Sequence, residues 1–241
     1  MTAASLLINC WESASRSPAR WRTLALVVPA VEGADVESMA GLPIGRLEYR
    51  LLELRRHLFG EGIEALASCP ACSQQVDLSF EVGDITAEPP ADTRLFAEHE
   101  DWSIQFRLPS SRDMQAAASC AEAQAARLLL IDRCVVGLTR ESQPHPVEEA
   151  PLELVAAMED AMAAADPQAD LRFKLVCPAC GAEWEAALDP GSFVGAEVSS
   201  GARRLLGEIH RLAAAYGWSE AEILGLPSRR RQAYLDLVTA E

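Results

Sequence analysis

Two short stretches hold the residues best suited to chemistry in this chain of 241 amino acids. Cys69-Pro70-Ala71-Cys72 and Cys177-Pro178-Ala179-Cys180 are identical in sequence. Each copy places two thiols at the C-x-x-C spacing with which a tight turn presents a pair of ligands to one metal ion. Together the copies supply four sulfur ligands, the number that a closed tetrahedral zinc site requires. The repeat therefore predicts one structural Zn²⁺ per chain, bound by all four of these cysteines.

A strand pattern follows each cysteine motif. Apolar and polar residues alternate after the first motif up to Val82 and after the second up to Leu188, which is the period of a strand with one buried face. The gap from Cys72 to Cys177 exceeds the roughly 15 to 20 residues that usually separate two zinc-binding pairs. We therefore expect the intervening chain to form a folded insert whose ends return close together, which loop-closure entropy tolerates.

Three other interpretations of the four cysteines stay open. A redox dithiol uses the same motif, but it usually occurs once and near a βαβ pattern, whereas both copies here precede strands. A catalytic zinc site of the deaminase type requires His-x-Glu upstream and a proline before the first cysteine; His99 is instead followed by Glu100 and Asp101. Finally, strands from the two units could pair by packing alone, without a metal.

The net charge of −15 argues against a nucleic-acid partner, because neutralising phosphates requires a basic face. The basic clusters 55–57, 203–204 and 229–231 lie on helical patterns, which favours solvated faces or pairing with acidic neighbours. No uninterrupted apolar run approaches the ~18 residues of a membrane span, and residues 1–9 lack the features of a signal peptide. We therefore expect an intracellular protein that binds neither nucleic acid nor membrane.

Catalysis has no support in the sequence. We find no Gly-rich phosphate loop, nucleophile elbow or paired-carboxylate site, and the histidines are scattered. Cys10 and Cys134 lie in apolar stretches, which predicts buried thiols that behave as small apolar side chains. We expect a non-enzymatic protein that acts by binding or scaffolding.

The pattern of helices and strands predicts an α+β fold that is mainly helical, with a zinc-ribbon-like β unit made of the two C-x-x-C knuckles. Apolar spacing predicts helices over 46–59, 121–136, 152–164 and 202–216, and strands over 102–108 and 171–176. Residues 86–100 are predicted to be a polar linker. The expected divisions are N-terminal helices at 1–60, the first half of the ribbon at 61–85, an inserted strand-helix segment at 86–170, the second half of the ribbon at 171–193 and C-terminal helices at 194–241.

Four stretches form a recognisable order of motifs. They are Trp11-Glu12 with residues 20–28, residues 44–60 leading into the first cysteine motif, residues 106–113, and the tail segments 212–220 and 230–235. In this order they resemble the baseplate hub assembly chaperone family of contractile-tailed phages, whose relatives accompany phage-tail-like contractile injection systems. The chain departs from the family at Ser73, where glycine is expected as at Gly181, and at Arg20-Trp21, where a bulky ring replaces a small residue.

The resemblance implies assembly of a baseplate or its central hub, with baseplate or hub proteins as partners, either in the bacterial cytoplasm or in association with the particle. Candidate partner-binding residues lie in the C-terminal helices, where aromatic and arginine side chains recur: Tyr216, Trp218, Arg229, Arg230, Arg231 and Tyr234. Trp218 and Tyr234 could equally be core residues, Trp218 pairing with Ile223 as a hydrophobic staple beside the capping box Ser219-x-x-Glu222. Two other functions stay open, a stoichiometric structural component of the baseplate and a zinc-ribbon regulator that binds protein or nucleic acid.

Overall fold

The computed structural model of the protein describes residues 2–87 and 94–239. In this part the chain is mixed α+β and mainly helical, which confirms the predicted class. The chain divides into two compact units. We call Met1–Val36, Leu51–Gly60 and Asp189–Glu241 the helical unit, and Glu37–Arg50 and Glu61–Leu188 the sheet unit.

Four α-helices precede the first strand of the described chain, three follow the last strand, and the short strands between them occur in consecutive pairs that helices separate. The helices are α1 Ala3–Arg16, α2 Arg22–Val27, α3 Val36–Ala40, α4 Ile44–Phe59, α5 Val82–Ile85, α6 Ser111–Ala117, α7 Ala123–Cys134, α8 Leu152–Ala165, α9 Pro190–Tyr216, α10 Glu220–Gly225 and α11 Ser228–Thr239. The strands are β1 Gly62–Ser68, β2 Gln75–Glu81, β3 Arg94–His99, β4 Trp102–Arg107, β5 Val135–Arg140, β6 Gln143–His145, β7 Arg172–Val176 and β8 Glu183–Ala187. Single 3-10 turns occupy Ala19–Trp21, Val28–Ala30, Val147–Glu149 and Pro167–Ala169.

The helical unit is organised around α9, a helix of 27 residues. Asp189 caps its first turn by accepting a hydrogen bond from the N–H of Ser192 at 3.1 Å, and Gly217 ends it in the left-handed conformation at φ +68°. Helices α1, α2, α10 and α11 all contact α9. Because Gly201 has no side chain, Leu7 and Phe59 approach the backbone of α9 closely; an added Cβ would lie 3.3 Å and 3.1 Å from them.

A four-stranded antiparallel sheet in the order β3-β4-β5-β6 forms the centre of the sheet unit. Helix α8 packs on one face of this sheet. Residues of the sheet and of α8, together with Ile131 of α7, form a buried apolar core: Ala97, Ile104, Phe106, Ile131, Leu138, Leu154, Val155 and Met158. The opposite face exposes Phe96 and Val136, so the strands alternate as expected for a sheet with one covered face.

The turn from β4 into α6 is fixed by Asp113, whose side chain is fully buried. Asp113 and Ser110 form a reciprocal capping box. Arg107 donates to both carboxylate oxygens at 2.6 Å and 3.0 Å, and Arg133 of α7 donates to one of them at 2.9 Å. Burial alone would raise the pKa of Asp113, but the hydrogen bonds from Arg107, Ser110 and Arg133 outweigh it and hold the pKa well below its usual range.

The structure differs from the sequence prediction at three places. The helix expected over 202–216 begins twelve residues earlier, at Pro190, since Asp189 and Pro190 are good starting residues. The helix expected over 121–136 ends at Cys134, because β-branched Val135 and Val136 begin strand β5. The expected linker 86–100 contains strand β3, which pairs with β4; residues 88–93 of that prediction lie outside the described residues.

Candidate metal centre

Each cysteine motif lies in the turn of a two-stranded antiparallel hairpin, β1-β2 for the first and β7-β8 for the second. The first turn is closed by the N–H of Cys69 donating to Gln74 and by the N–H of Ser73 donating to Cys69, both at 2.9 Å. The second turn has the same bonds, from Cys177 to Ala182 and from Gly181 to Cys177, also at 2.9 Å. The sequence repeat is therefore a structural repeat.

The residue after the second cysteine is left-handed in both turns. Ser73 has φ +61° and Gly181 has φ +72°. Glycine adopts this conformation without steric cost, whereas a residue with a Cβ pays roughly 1–2 kcal/mol. The backbone of the turn thus explains why glycine is the expected residue here, and why Ser73 stands out as a departure.

The two turns bring their sulfurs together. The Sγ atoms of Cys69, Cys72, Cys177 and Cys180 all lie within 4.8 Å of one another. The closest pairs run between the hairpins, Cys69 to Cys180 at 3.7 Å and Cys72 to Cys177 at 3.6 Å. Four sulfurs placed tetrahedrally at ~2.3 Å from a zinc ion are ~3.8 Å apart. The donor set and its spacing therefore fit a tetrahedral four-cysteine zinc site.

Burial and backbone dipoles act differently on the four thiols. The first cysteine of each motif is buried, at 1% exposure, and the second is exposed. The backbone N–H groups of Cys180 and Ala179 donate to the sulfur of Cys177 and lower its pKa to about 7, which favours the thiolate that a metal requires. The N–H of Gln74 also lowers the pKa of Cys72, but hydrogen bonds with neighbouring thiols, Cys180 first, outweigh it and raise the pKa to about 12.

Apolar side chains behind the turns hold the two hairpins against each other. The rings of Phe80 in β2 and Phe173 in β7 lie 4.9 Å apart, centroid to centroid. Exposed and half-buried residues alternate along β2 and β8, which is the pattern predicted for the residues after each motif, and along β7, which precedes the second motif. The cysteine cluster and the Phe80–Phe173 contact together join segments that are more than 90 residues apart in the sequence.

Cys10 and Cys134 lie outside this cluster and are buried, as predicted. Burial raises the pKa of the Cys10 thiol to about 12 and that of Cys134 to about 11. Both thiols are therefore protonated near neutral pH, and neither has the thiolate character of a metal ligand.

Three of the predicted partner-binding residues form an aromatic cluster in the helical unit. Tyr216 stacks on Trp218 at 4.7 Å, and Tyr234 meets Trp218 edge-on at 4.8 Å. Tyr216 is 39% exposed, whereas Trp218 and Tyr234 are half-buried. Ile223, the expected staple partner of Trp218, is fully buried. The cluster thus combines packing with a partly exposed aromatic surface.

The three predicted arginines have different surroundings. Arg229 and Arg230 are exposed. Arg231 is buried at 8% exposure and donates from Nε to Glu208 at 2.6 Å and from Nη1 to the carbonyl of Leu226 at 3.3 Å. Arg231 therefore joins α11 to α9 within the helical unit.

The comparisons with known proteins point to one family. The family model described as "T4 bacteriophage base plate protein" matches residues 27–193, a span that contains both cysteine motifs. No curated protein and no solved structure matches the chain. Within the described ranges, no helix combines the length and apolar character needed to cross a bilayer.

Proposed function

Because the chain belongs to the family of T4 bacteriophage base plate proteins, we propose that it is a non-enzymatic zinc-ribbon protein that assists assembly of the baseplate or hub of a contractile tail or injection system. The observation that carries this proposal is the family match over residues 27–193, which includes the complete sheet unit. The assembly role is the function that the resemblance of the four sequence motifs implies. Its partners are baseplate or hub proteins.

In this proposal one Zn²⁺ binds the four clustered cysteines. A closed four-cysteine site supplies cross-linking and leaves no open position for water or substrate, so the ion has a structural role. The chain's own backbone prepares the site, since N–H groups of the second turn already donate to the sulfur of Cys177. The bound ion would cross-link the two ends of the segment between the motifs. This segment contains the four-stranded sheet.

The surface offered to partners is the aromatic cluster of Tyr216, Trp218 and Tyr234 together with Arg229 and Arg230. Tyrosine, tryptophan and arginine supply most of the binding energy in protein interfaces when a partner buries them. Neither Arg229 nor Arg230 has an ion-pair partner among the residues that the structure describes. Both guanidinium groups are therefore available to a partner's carboxylates.

A stoichiometric structural component of the baseplate is the second candidate. The words "base plate protein" in the family description favour it. The two candidates differ in where the protein resides after assembly. An assembly factor leaves the finished particle and stays in the cytoplasm, whereas a structural component remains associated with the particle.

Co-purification from the native host, followed by mass spectrometry of gradient-purified particles, separates the two candidates. For an assembly factor we expect baseplate or hub proteins to co-purify with the tagged chain from lysate, and mature particles to lack it. Copies in mature particles at a fixed ratio to other baseplate proteins would contradict the assembly role and establish the structural one. A chain that captures no baseplate protein and is absent from particles would contradict both.

A further inference from the structure

A groove of about 490 Å³ runs between α1, α2 and α9 in the helical unit, apart from the cysteine cluster. Arg22 from α2 and Arg203 from α9 both line it, and the indole of Trp11 forms part of its wall. Four hydroxyl side chains face the same space: Ser15, Thr23, Ser192 and Ser199. The groove thus combines two cations, several hydrogen-bond donors and one aromatic surface.

Neither arginine of this groove forms an ion pair within the described part of the chain. Its lining contains no Asp or Glu. The carboxylate of Asp189, beside the lining residue Ser192, accepts hydrogen bonds from the N–H and the hydroxyl of Ser192. Arg22 and Arg203 are exposed and have no ion-pair partner among the described residues. In contrast, Arg55 and Arg231 of the same unit are paired with glutamates at 3.0 Å and 2.6 Å.

Backbone packing builds the groove. An added Cβ at Gly191 would lie 2.7 Å from the Cγ2 atom of Thr23, and one at Gly195 would lie 3.5 Å from Leu26. The missing side chain of Gly191 lets α2 lie close to the first turn of α9, whereas a Cβ at Gly195 would be at ordinary van der Waals distance from α2. Arg22 therefore lies at the same groove as Arg203. The two arginines are consequently held by rigid helices rather than by loops.

The distribution of charge between the units makes this basic groove unusual in the chain. The sheet unit contains 10 Lys and Arg against 25 Asp and Glu, which accounts for the whole net charge of −15, while the helical unit contains 11 of each. The basic groove therefore lies on the unit whose own charges balance, not on the unit with the acidic excess that disfavours anion binding.

We propose that the Arg22–Arg203 groove binds an acidic segment of a partner protein, with carboxylates on the two guanidinium groups and an apolar side chain against Trp11. Guanidinium groups bind carboxylates through short charge-assisted hydrogen bonds, and the hydroxyls of Ser15, Thr23 and Ser199 can donate to the remaining oxygens. The inference that the ligand is a protein rests on the proposed function. The inference that the groove recognises carboxylates does not depend on it.

A peptide-binding measurement tests the inference on the purified full-length chain. The probe is a fluorescein-labelled hexaglutamate peptide followed by fluorescence anisotropy, with a hexalysine peptide of equal length as the reference. We expect saturable binding of the acidic peptide that weakens as salt rises. R22E/R203E should weaken binding at least tenfold, and R22Q/R203Q should weaken it by an intermediate factor. Arg211→Glu is the control for R22E and R203E taken singly, since it makes the same change of charge at a residue that is also exposed on α9 but lies outside the groove; it should change binding less than twofold.

Three outcomes would overturn the inference. The first is no saturable binding of the acidic peptide by a protein whose melting is normal. The second is equal loss of binding in R211E and R22E/R203E, which would indicate diffuse electrostatics. The third is tighter binding of a single-stranded oligonucleotide or of inorganic phosphate at the same two arginines, which would assign the groove to phosphate. Because the assay needs no baseplate protein, failure of the groove and failure of the proposed function are distinguishable.

Discussion

The carboxylate of Asp166 lies directly on the backbone of Gly45, in the first turn of α4. Its Oδ2 atom accepts the N–H of Gly45 at 3.0 Å across 121 residues of sequence. An added Cβ at Gly45 would lie 2.6 Å from Cγ of Asp166, so the contact requires glycine. The other oxygen, Oδ1, is buried without a hydrogen-bond partner among the described residues. Burial raises the pKa of Asp166, against the opposing effects of the Gly45 N–H and Arg46.

Gly45→Ala should therefore destabilise the protein by about 2 kcal/mol, because a methyl group would displace the buried carboxylate from the helix terminus. In an Asp166→Ala background the clash is gone, and the same substitution should stabilise by up to ~1 kcal/mol through helix propensity. Denaturant unfolding of the four proteins measures this reversal of sign. Gly207→Ala is the control, since Gly207 of α9 has open space around it and its substitution should stabilise by ~1 kcal/mol. An equal cost of G45A in both backgrounds would contradict the contact.

The left-handed residue of each cysteine turn gives a second prediction. Ser73→Gly should stabilise the chain by about 1 kcal/mol, because it removes the steric cost of a Cβ at φ +61°. Gly181→Ser should destabilise by a similar amount, since it adds that cost at φ +72°. The shift in unfolding midpoint measures both. If neither substitution shifts the midpoint in its expected direction while the zinc content is unchanged, the steric cost assigned to the left-handed residue is contradicted.

The metal itself is tested by elemental analysis. We expect about one zinc per chain, lost in Cys69→Ser and in Cys177→Ser together with much of the stability, since metal binding free energy is folding free energy in such sites. Cys120→Ser should keep the metal, because Cys120 lies outside the four-sulfur cluster. The zinc site would be excluded if the purified wild type contained no metal, its four clustered thiols all reacted, and it melted at the same temperature as the serine variants.

These examples indicate what the sequence could predict. The cysteine site was accessible because its ligands lie at fixed local spacing and the motif occurs twice, and Ser73 was identifiable as a departure for the same reason. Which cysteines approach each other across the hairpins was not accessible. The Gly45–Asp166 contact and strand β3 were missed because both depend on partners distant in sequence. Periodicity is read within a single segment of sequence. A strand such as β3 is stabilised by pairing with β4, which its own sequence pattern does not reveal.

Acid sensitivity should depend on Asp113. Its pKa is lowered in the folded state, so its contribution is fully present above the unfolded value of about 4 and is lost as pH falls through the lower folded pKa. Asp113→Asn should cost about 3 kcal/mol at pH 7, because Arg107 and Arg133 lose their buried partner. The difference in unfolding free energy between the wild type and D113N should shrink below pH 4. Since acid releases zinc from both proteins alike, this difference isolates Asp113; a difference that does not change with pH would contradict the charge assignment.

Neighbouring arginines on α11 should behave in opposite ways. Arg231→Ala should destabilise the protein by about 2 kcal/mol, because it leaves the charge of Glu208 and the carbonyl of Leu226 without their donor. Arg229→Ala with Arg230→Ala should change stability by less than ~0.5 kcal/mol, since both side chains are exposed. If the surface formed by the aromatic cluster, Arg229 and Arg230 binds a baseplate protein, R229A/R230A should reduce the recovery of that protein in pull-downs. R231A should not reduce this recovery once it is corrected for the folded fraction. Normal recovery with R229A/R230A and with Tyr216→Ala would exclude this surface from partner binding and leave its aromatic cluster a purely internal packing feature.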